Sequence, residues 1–360
     1  MATYDSMENC VGNRNILLIV SGPVIGGHES QAYEIAADLL GMGHSMTIIC
    51  SAQSTADYFG KMGCEVKVVN FTMPGKIWKQ WMNSSAIGAT LAGHIVGYDS
   101  ILISAGTIEG VIPVSHAIKN KVGACEVIGY VPMYIDRSLT HGIVGKIYNC
   151  LLNTLGRAVD RYLTINKIQA AIIRKNLGRP TVFVANRIRP VTAPVQSYGK
   201  RLVYVGRFDD QQKGLLDLLE KLDSPQNPYG ELIMIGDGPD REQIHAKAGL
   251  LKSLKVQFPG WLSGASLENF LGSNDVLIMN SRWEGEPLVV KEFAARGLMS
   301  ISREITGVRG LITKKFRFES DLELHALLAK TYDNKVSVAD NYSNRVEKSG
   351  RQQLLGKIFS

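Results

Sequence analysis

Two glutamates in the second half of the chain are separated by seven residues across a predicted turn. Glu284 follows the apolar segment 275–279, which predicts a buried strand. Glu292 lies in segment 287–295, where helix-forming residues continue until Gly297. Carboxylates are good hydrogen-bond acceptors for the hydroxyl groups of a sugar or a ribose. The pair therefore indicates a site for a nucleotide sugar.

Two cations follow another predicted strand. Segment 201–207 is apolar and ends in Gly206-Arg207, and Lys213 stands just before a predicted amphipathic helix over 215–222. The carboxyl ends of parallel strands meet at one edge of a sheet, so both cations are expected there. Arginine neutralises a diphosphate through forked hydrogen bonds and lysine acts as a point charge. A diphosphate site is one interpretation, and a solvated basic loop is the other.

Glycine-rich turns follow two further predicted strands. Gly26 and Gly27 come after strand 16–20 and before a helix, and Gly236 follows strand 231–235. Glycine at such a junction lets a phosphate or a sugar approach the backbone and the helix N-terminus closely. The first strand is not followed by a Gly-x-Gly-x-x-Gly sequence, which argues against a nicotinamide oxidoreductase.

In this order, these segments resemble glycosyltransferase family 4, the retaining nucleotide-sugar transferases of the GT-B fold. The motifs that carry the resemblance are Gly26-Gly27-x-Glu29, Gly206-Arg207, Lys213-Gly214, Gly236-Asp237-Gly238-Pro239, and the glutamate pair with Ala294-Ala295-Arg296-Gly297. The resemblance is continuous over residues 200–312 and is limited to the opening loop and the strand–helix rhythm before residue 190. It implies an α/β protein of GT-B type, with two Rossmann-like, doubly wound parallel-sheet domains that face a central crevice.

The resemblance also implies a role for each matched residue. Arg207 and Lys213 would stabilise the leaving diphosphate, Glu284 would contact hydroxyls of the transferred sugar, and these three are the expected catalytic residues. The expected donor-binding residues are Gly26, Gly27, Gly206, Gly236, Gly285, Glu286, Pro287, Leu288 and Glu292, with Glu292 on the ribose. Glu286 departs from the family, which commonly has an aromatic or aliphatic residue there. Its carboxylate is expected either to point to solvent or to favour a sugar with an extra hydroxyl or amine.

A second departure lies in the first half of the chain. Many family members place a histidine after a central strand, but none follows segment 126–131 directly. Tyr134 and Asp136 are the candidates to replace it. His116 and His141 are interpreted as packing or surface residues, and the role of the family histidine stays unassigned.

The length of 360 residues and the 45% hydrophobic content favour two domains with a core each. We predict an acceptor-binding domain over 1–190, a linker over 191–200, a donor-binding domain over 201–340 and a tail over 341–360. In the resembled fold, such a tail forms a helix that returns to the first domain. Predicted strands cover 16–20, 45–50, 65–70, 100–104, 126–131, 161–165 and 181–185, and then 201–207, 231–235, 255–258, 275–279 and 299–302.

Composition favours a cytoplasmic protein, and the resemblance to family members that glycosylate lipid-linked acceptors leaves contact with an anionic membrane as one interpretation. The five cysteines show no metal-ligand spacing, and neither a signal peptide nor a run of about 18 apolar residues is found. Of the net charge of +7, residues 1–199 carry +5, from 17 Lys and Arg against 12 acids. Segment 74–82 adds two lysines and two tryptophans, which suits the inner membrane face, although an ordinary packed helix is the alternative. No basic run or module predicts nucleic-acid binding.

The expected function is transfer of a hexose-type sugar from a nucleotide-diphosphate sugar to a hydroxyl of a glycan or lipid-linked acceptor, as in polysaccharide biosynthesis. No Asp-x-Asp follows an apolar strand, and two cations already face the expected diphosphate, so we expect neither metal nor cofactor. Two alternatives stay open, a GT-B nucleotide-sugar epimerase and a non-catalytic nucleotide-sugar binding protein. The sequence names neither nucleotide, sugar nor acceptor.

Overall fold

The computed structural model describes residues 13–22, 25–71, 83–119, 121–135, 137–187, 200–262 and 265–342, with 355, 356, 358 and 359. The chain divides into two compact units, one of Met1–Arg187 with Lys348–Ser360 and one of Ile188–Glu347. The predicted linker, except for Lys200, lies outside the described residues, and so do Asp136, segment 74–82 and most of the predicted tail.

The first unit contains a parallel sheet of seven strands in the order β3-β2-β1-β4-β5-β6-β7. Its strands are β1 (Asn15–Val20), β2 (Ser45–Cys50), β3 (Glu65–Val68), β4 (Ser100–Ser104), β5 (Glu126–Tyr130), β6 (Arg161–Thr164) and β7 (Thr181–Phe183). Its described helices are α1 (Gly27–Gly41), α2 (Gln53–Phe59), α3 (Ser84–Leu91), α4 (Ile108–Lys119), α5 (Ser138–Leu155) and α6 (Lys167–Leu177).

Strand β1 shows why this sheet must be covered on both faces. Leu17 and Ile19 pack into one hydrophobic cluster, while Ile16, Leu18 and Val20 pack into a second. Successive side chains of a strand point to opposite faces, so a run of apolar residues requires a layer of helices on each side. Leu355, Ile358 and Phe359 from the end of the chain also pack in the second cluster.

The second unit contains a parallel sheet of six strands in the order β10-β9-β8-β11-β12-β13. Its strands are β8 (Leu202–Val205), β9 (Glu231–Ile235), β10 (Lys255–Gly260), β11 (Val276–Met279), β12 (Met299–Arg303) and β13 (Arg317–Phe318). Its described helices are α7 (Asp210–Lys213), α8 (Leu215–Leu222), α9 (Arg241–Ala248), α10 (Ala265–Phe270), α11 (Leu288–Ala295), α12 (Asp321–Tyr332) and α13 (Val338–Asn341).

Helix α8 illustrates how the helices cover this sheet. Leu215, Leu218, Leu219 and Leu222 are fully buried, at the spacing that places residues on one face of a helix. They pack against Leu202 of β8 and its neighbours in a single cluster. The opposite face of the sheet has its own cluster, to which Val203 contributes.

The prediction of two Rossmann-like, doubly wound parallel-sheet domains is confirmed. The two-residue edge strand β13 was not predicted. In the part of the chain that the structure describes, no helix has the length and apolar character needed to cross a membrane.

Candidate active site

The loops that follow β8, β9 and β11 leave the same edge of the second sheet. These three strands are neighbours in the order β9-β8-β11 and all run parallel. Their carboxyl ends therefore bring together the turns over residues 206–214, 236–240 and 280–287. This edge of an open α/β sheet is where such folds bind ligands.

The glycines of the first two turns allow their backbones to touch. A Cβ atom on Gly236 would lie 1.9 Å from the carbonyl oxygen of Gly206, and one on Gly238 would lie 2.4 Å from that of Phe208. The amide of Gly206 donates to the carbonyl of Ile235 at 3.0 Å. The structure thus gives Gly206 and Gly236, both expected donor-binding residues, a direct function in loop packing.

The turn after β8 is fixed at both ends. The carboxylate of Asp209 caps α7 by accepting from the amide of Gln212 at 3.2 Å. The helix ends at Gly214, whose φ of 61° favours glycine. The side-chain amide of Asn280, at the end of β11, donates to the Gly214 carbonyl at 2.8 Å. These two hydrogen bonds hold the backbone on both sides of Lys213 and so define its position.

Lys213 and Glu284 contact each other directly. The Nζ atom of Lys213 lies 2.5 Å from Oε1 of Glu284, and the Ser281 hydroxyl donates to the same oxygen at 2.8 Å. Gln212 reaches the other carboxylate oxygen at 3.4 Å. The Lys213 and Glu284 side chains are only 18% and 10% exposed. The structure brings two of the three expected catalytic residues together as a largely buried ion pair.

Arg207 differs from Lys213 in its surroundings. Its side chain is exposed, and its guanidinium makes no hydrogen bond or ion pair with any residue that the structure describes. Its carbonyl oxygen, in contrast, accepts a hydrogen bond at 2.8 Å from the hydroxyl of the buried Tyr204. Burial, followed by the negative charge of Glu284, raises the pKa of Tyr204 well above its ordinary range. The backbone of Arg207 is therefore anchored, while its guanidinium is exposed.

Glu286 does not point to solvent. Its carboxylate pairs with the ammonium of Lys291 on α11, and both side chains are 10% exposed. The expectation of a solvent-facing Glu286 is therefore wrong, because the first turn of α11 supplies a cation that holds it. Lys291 was missed by the sequence reasoning, although its position five residues after Glu286 was visible.

Glu292 lies on α11, which begins with Leu288 directly after Pro287. Its side chain is half-buried. Arg296 donates to the Glu292 carbonyl at 2.8 Å and pairs with Glu268 of α10 at 3.2 Å. The Arg296 and Glu268 side chains are 7% and 6% exposed. Arg296 therefore anchors the helix that presents Glu292, and Gly285 completes the loop that leads into it.

In the first unit, Gly26 and Gly27 begin helix α1 beside a buried carboxylate. The amide of Gly26 donates to one oxygen of Glu29 at 2.9 Å, and Nδ1 of His28 lies 2.9 Å from the other. Burial raises the pKa of Glu29, but the hydrogen bond and charge of His28 and the Gly26 amide outweigh it, so the pKa lies below its ordinary value. The Gly-Gly-x-Glu motif thus forms its own helix cap.

His28 is a residue that the sequence reasoning missed. Its ring stacks near Tyr130, with 6.4 Å between ring centroids, and lies beside Gly106. Its Nε2 atom is buried without a hydrogen-bond partner among the described residues, as are the hydroxyls of Ser104 and Thr164. A histidine and two hydroxyl groups therefore lie at the carboxyl edge of the first sheet. The histidine precedes β5 in the chain, whereas the histidine of the resembled family follows the corresponding strand.

Tyr134, one of the two residues considered as substitutes for the family histidine, has structural contacts. The hydroxyl of Tyr134 donates to Asn153 at 2.9 Å, and its amide donates to Gln169 at 3.1 Å. His116 contacts the carbonyl oxygen of Leu155 at 2.7 Å, as expected for a packing residue. Asp136 and the side chain of His141 lie outside the described part of the chain.

Residues 199–340 match a family model described as glycosyl transferases group 1. The match begins just before β8 and ends within α13, so it contains every site residue of the second unit. This part of the chain is thus similar to the glycosyl transferases of group 1. The model does not extend into the first unit.

Two sequence relatives cover parts of the chain. An uncharacterized 41.2 kDa protein in the cps region of Klebsiella pneumoniae is 30% identical over 189 residues, which are 50% of this chain and 48% of the relative. The phosphatidyl-myo-inositol mannosyltransferase of Mycobacterium tuberculosis is 27% identical over 117 residues, or 32% of this chain and 30% of the relative. The chain thus spans half or less of the curated relatives it matches.

The solved structure of HepE from Anabaena, in complex with UDP and glucose, covers nearly the whole chain. The TM-score is 0.69 at 15% identity, over 97% of this chain and 96% of that chain. At this identity the likeness shows the fold alone, and it confirms the predicted GT-B glycosyltransferase fold. The comparisons do not favour the epimerase alternative.

Proposed function

We propose that the protein is a retaining glycosyltransferase that moves a hexose-type sugar from a nucleotide-diphosphate sugar to an acceptor hydroxyl. The observation that carries the proposal is the guanidinium of Arg207, which is paired with no described residue, at the sheet edge where Lys213 meets Glu284. The glycosyltransferase group 1 match over residues 199–340 supports it.

In the proposed reaction, departure of the nucleoside diphosphate builds negative charge on the phosphate oxygens. Fixed cations aimed at that charge stabilise the transition state more than the substrate. Arg207 is available because no described residue neutralises it. Lys213 has three N–H donors, so its ammonium can contact a phosphate while it keeps its bond to Glu284.

The N-terminus of α11 supplies a further source of positive potential. The first amides of a helix have no partner within it, and the helix dipole favours an anion at this end. Pro287 precedes the helix without capping it through a side chain. We assign the amides around Glu286 and Leu288 to the donor phosphates, and Glu292 to the ribose hydroxyls.

Retention of configuration needs no carboxylate nucleophile if the acceptor hydroxyl attacks from the face that the phosphate leaves. The bond from the anomeric carbon to the phosphate oxygen breaks as the bond to the acceptor oxygen forms. The departing phosphate oxygen then takes the acceptor proton. In this route Glu284, held by Lys213 and Ser281, positions the sugar hydroxyls. The proposed reaction requires no metal ion or cofactor.

The acceptor is proposed to be a glycan or a lipid-linked sugar, bound by the first unit. The relative from Mycobacterium tuberculosis is, by its name, a mannosyltransferase of a phosphatidyl lipid, which supports a lipid-linked acceptor. We accordingly place the protein in the cytoplasm, at the inner face of the membrane.

A panel of UDP-, GDP-, ADP- and dTDP-sugars tests the proposal, with release of nucleoside diphosphate as the readout. We expect release from one donor, unchanged by a chelator and lost in Arg207→Ala. Sensitivity to the chelator would overturn metal independence alone. If no donor is consumed but one raises the melting temperature, the non-catalytic binding protein becomes the better description.

A further inference from the structure

One face of helix α5 is apolar and exposed. Ile143, Val144, Ile147 and Leu151 are 76%, 71%, 67% and 59% exposed. Residues 143, 147 and 151 repeat at intervals of four, so they lie one above another along the helix. Single exposed apolar residues are normal in soluble proteins, but a contiguous stripe of four marks a contact surface.

The backbone presents this stripe at a helix that has been broken near its start. Gly142 has φ 53° and ψ −126°, which is not helical and interrupts α5 after its first turn. A Cβ atom on Gly145 would lie 2.0 Å from the carbonyl oxygen of Arg137, so the preceding chain folds back against Gly145. The helix after the break therefore begins with Ile143 and Val144 facing solvent.

A polar cavity of about 400 Å³ lies along the neighbouring face of the same helix. Its lining includes two cations, three amides and a phenol, from Lys146, Arg157, Asn149, Asn153, Asn176 and Tyr134. Among the described residues, the lining contains no Asp or Glu. The oxygen of Asn153 accepts from Tyr134 at 2.9 Å, so its NH₂ group is the end that remains to donate to a ligand.

The two cations of the cavity are suited to an anion. Lys146 and Arg157 are exposed, and neither forms an ion pair with a residue in the described ranges. Helix α5 itself contains no acidic residue. The surface therefore combines an apolar ridge with a positive cavity beside it, whose two cations have no acidic partner in the described part of the chain.

Resting on the membrane location given in the proposed function, we propose that this face of α5 binds an anionic phospholipid bilayer. The four apolar side chains enter the interface, while Lys146 and Arg157 hold a lipid phosphate in the cavity. An apolar helix face next to cations is the arrangement that attaches a helix to an anionic lipid surface. A second copy of the chain fits less well, because a symmetric contact through this face would bring like charges together.

Co-sedimentation of the full chain with vesicles tests the proposal. The vesicles contain phosphatidylcholine alone or phosphatidylcholine mixed with phosphatidylglycerol. We expect binding to the mixed vesicles only. Lys146→Gln with Arg157→Gln should weaken it roughly 25-fold, at about fivefold for each cation near the surface. Ile147→Asn with Leu151→Asn should weaken it at least about tenfold, because both apolar side chains leave the interface.

Matched controls exist in the second unit. Leu322→Asn replaces a leucine that is 80% exposed, and Lys255→Gln a lysine whose side chain is 73% exposed. Both controls should bind the mixed vesicles like the unaltered chain. All variants should keep their melting temperature and their release of nucleoside diphosphate, so a failure of the membrane surface is distinct from a failure of the proposed transfer.

Three results would overturn the proposal. The first is equal binding of the α5 variants and the controls, and the second is no binding to either vesicle. The third is a dimer in light scattering that Ile147→Asn with Leu151→Asn abolishes, which would assign the face to a second copy. A separate measurement with inorganic phosphate distinguishes a lipid phosphate from free phosphate. If inorganic phosphate raises the melting temperature, Lys146→Gln with Arg157→Gln abolishes that shift, and no vesicles are bound, the cavity takes free phosphate instead of lipid.

Discussion

The carboxyl edges of the two sheets differ in the kind of polarity that they carry. The edge of the second sheet carries formal charges, namely the exposed Arg207 and the ion pairs Lys213–Glu284 and Glu286–Lys291. The edge of the first sheet carries the neutral hydroxyls of Ser104 and Thr164. Its two buried carboxylates among the described residues are both engaged within the unit, Glu29 in its own helix cap and Glu109 in an ion pair with Arg137. The second edge suits a diphosphate, and the first suits an uncharged ligand rich in hydroxyls.

This difference also explains why the polar residues at the edge of the second sheet were predicted from the sequence and those at the edge of the first sheet were not. Charged residues next to glycine turns form short, dense motifs, and these residues take part in the contacts found at the second edge. Ser104 and Thr164 end ordinary apolar strands, so nothing in their local sequence distinguishes them from other strand residues. Sites formed by neutral side chains are therefore harder to recognise in a sequence than sites formed by charged ones.

The largest expected effect comes from Arg207, whose charge has no partner among the residues that the structure describes. Arg207→Ala should reduce nucleoside diphosphate release by about 10²–10³-fold, as expected when one fixed group facing the developing charge is lost. The melting temperature should not change, because the side chain is exposed. Arg241→Ala is the matched control, since Arg241 is 57% exposed and forms only a surface ion pair. Equal losses in the two variants would remove Arg207 from the reaction.

The next largest effect is expected on stability, at the backbone contact between the turns that follow β8 and β9. Gly236→Ala places a Cβ atom 1.9 Å from the Gly206 carbonyl oxygen, so the two turns must separate. We expect a loss of about 1–3 kcal/mol in the free energy of unfolding, measured with urea. Gly230→Ala is the control, because no atom lies within 4 Å of its added Cβ. If both variants are equally stable, the two turns are free to move apart.

Glu284→Gln is expected to have a smaller effect on activity than Arg207→Ala. The amide keeps one acceptor oxygen for Ser281 and for a sugar hydroxyl but loses the charge that faces Lys213. We expect release to fall by about tenfold, the equivalent of one hydrogen bond to a charged group. Glu220→Gln, at a side chain that is 73% exposed, should be neutral. A loss as large as that of Arg207→Ala would give Glu284 a part in bond breaking.

The smallest effect is expected at Glu29, on the neutral edge. Its pKa in the folded chain lies below the ordinary value of 4.5, so the ionised form adds stability at neutral pH. Glu29→Gln should therefore lower stability at pH 7 by about 1 kcal/mol, because the amide keeps only one of two acceptor oxygens.

The sign of the pH dependence at Glu29 follows from the same shift. The stability contributed by the carboxylate is fully present above its ordinary pKa of 4.5 and is lost as the pH falls through the lower folded-state pKa. The gap between the unaltered chain and Glu29→Gln should therefore narrow as the pH is lowered below about 4.5. Melting curves across this pH range test the expectation, and a stability difference between the two proteins that widens in acid contradicts it.

The strands were predictable because their apolar runs are bounded by glycine and polar turns. Strand β13 was missed because two residues, Arg317 and Phe318, give no periodic pattern. The pairing of Lys213 with Glu284 depends on two loops that are distant in sequence and was not accessible from spacing. The stripe on α5 was missed for another reason. An apolar repeat indicates a helix with an apolar face, but it does not tell whether a neighbour covers that face.

The hydrogen bond from Tyr204 to the backbone of Arg207 has a consequence for work at alkaline pH. A phenol donates this bond only while it is protonated, and the raised pKa of Tyr204 keeps it protonated throughout the range in which enzymes are assayed. Any decline of activity in mild alkali therefore originates outside this part of the site, in the acceptor, the donor or the rest of the chain.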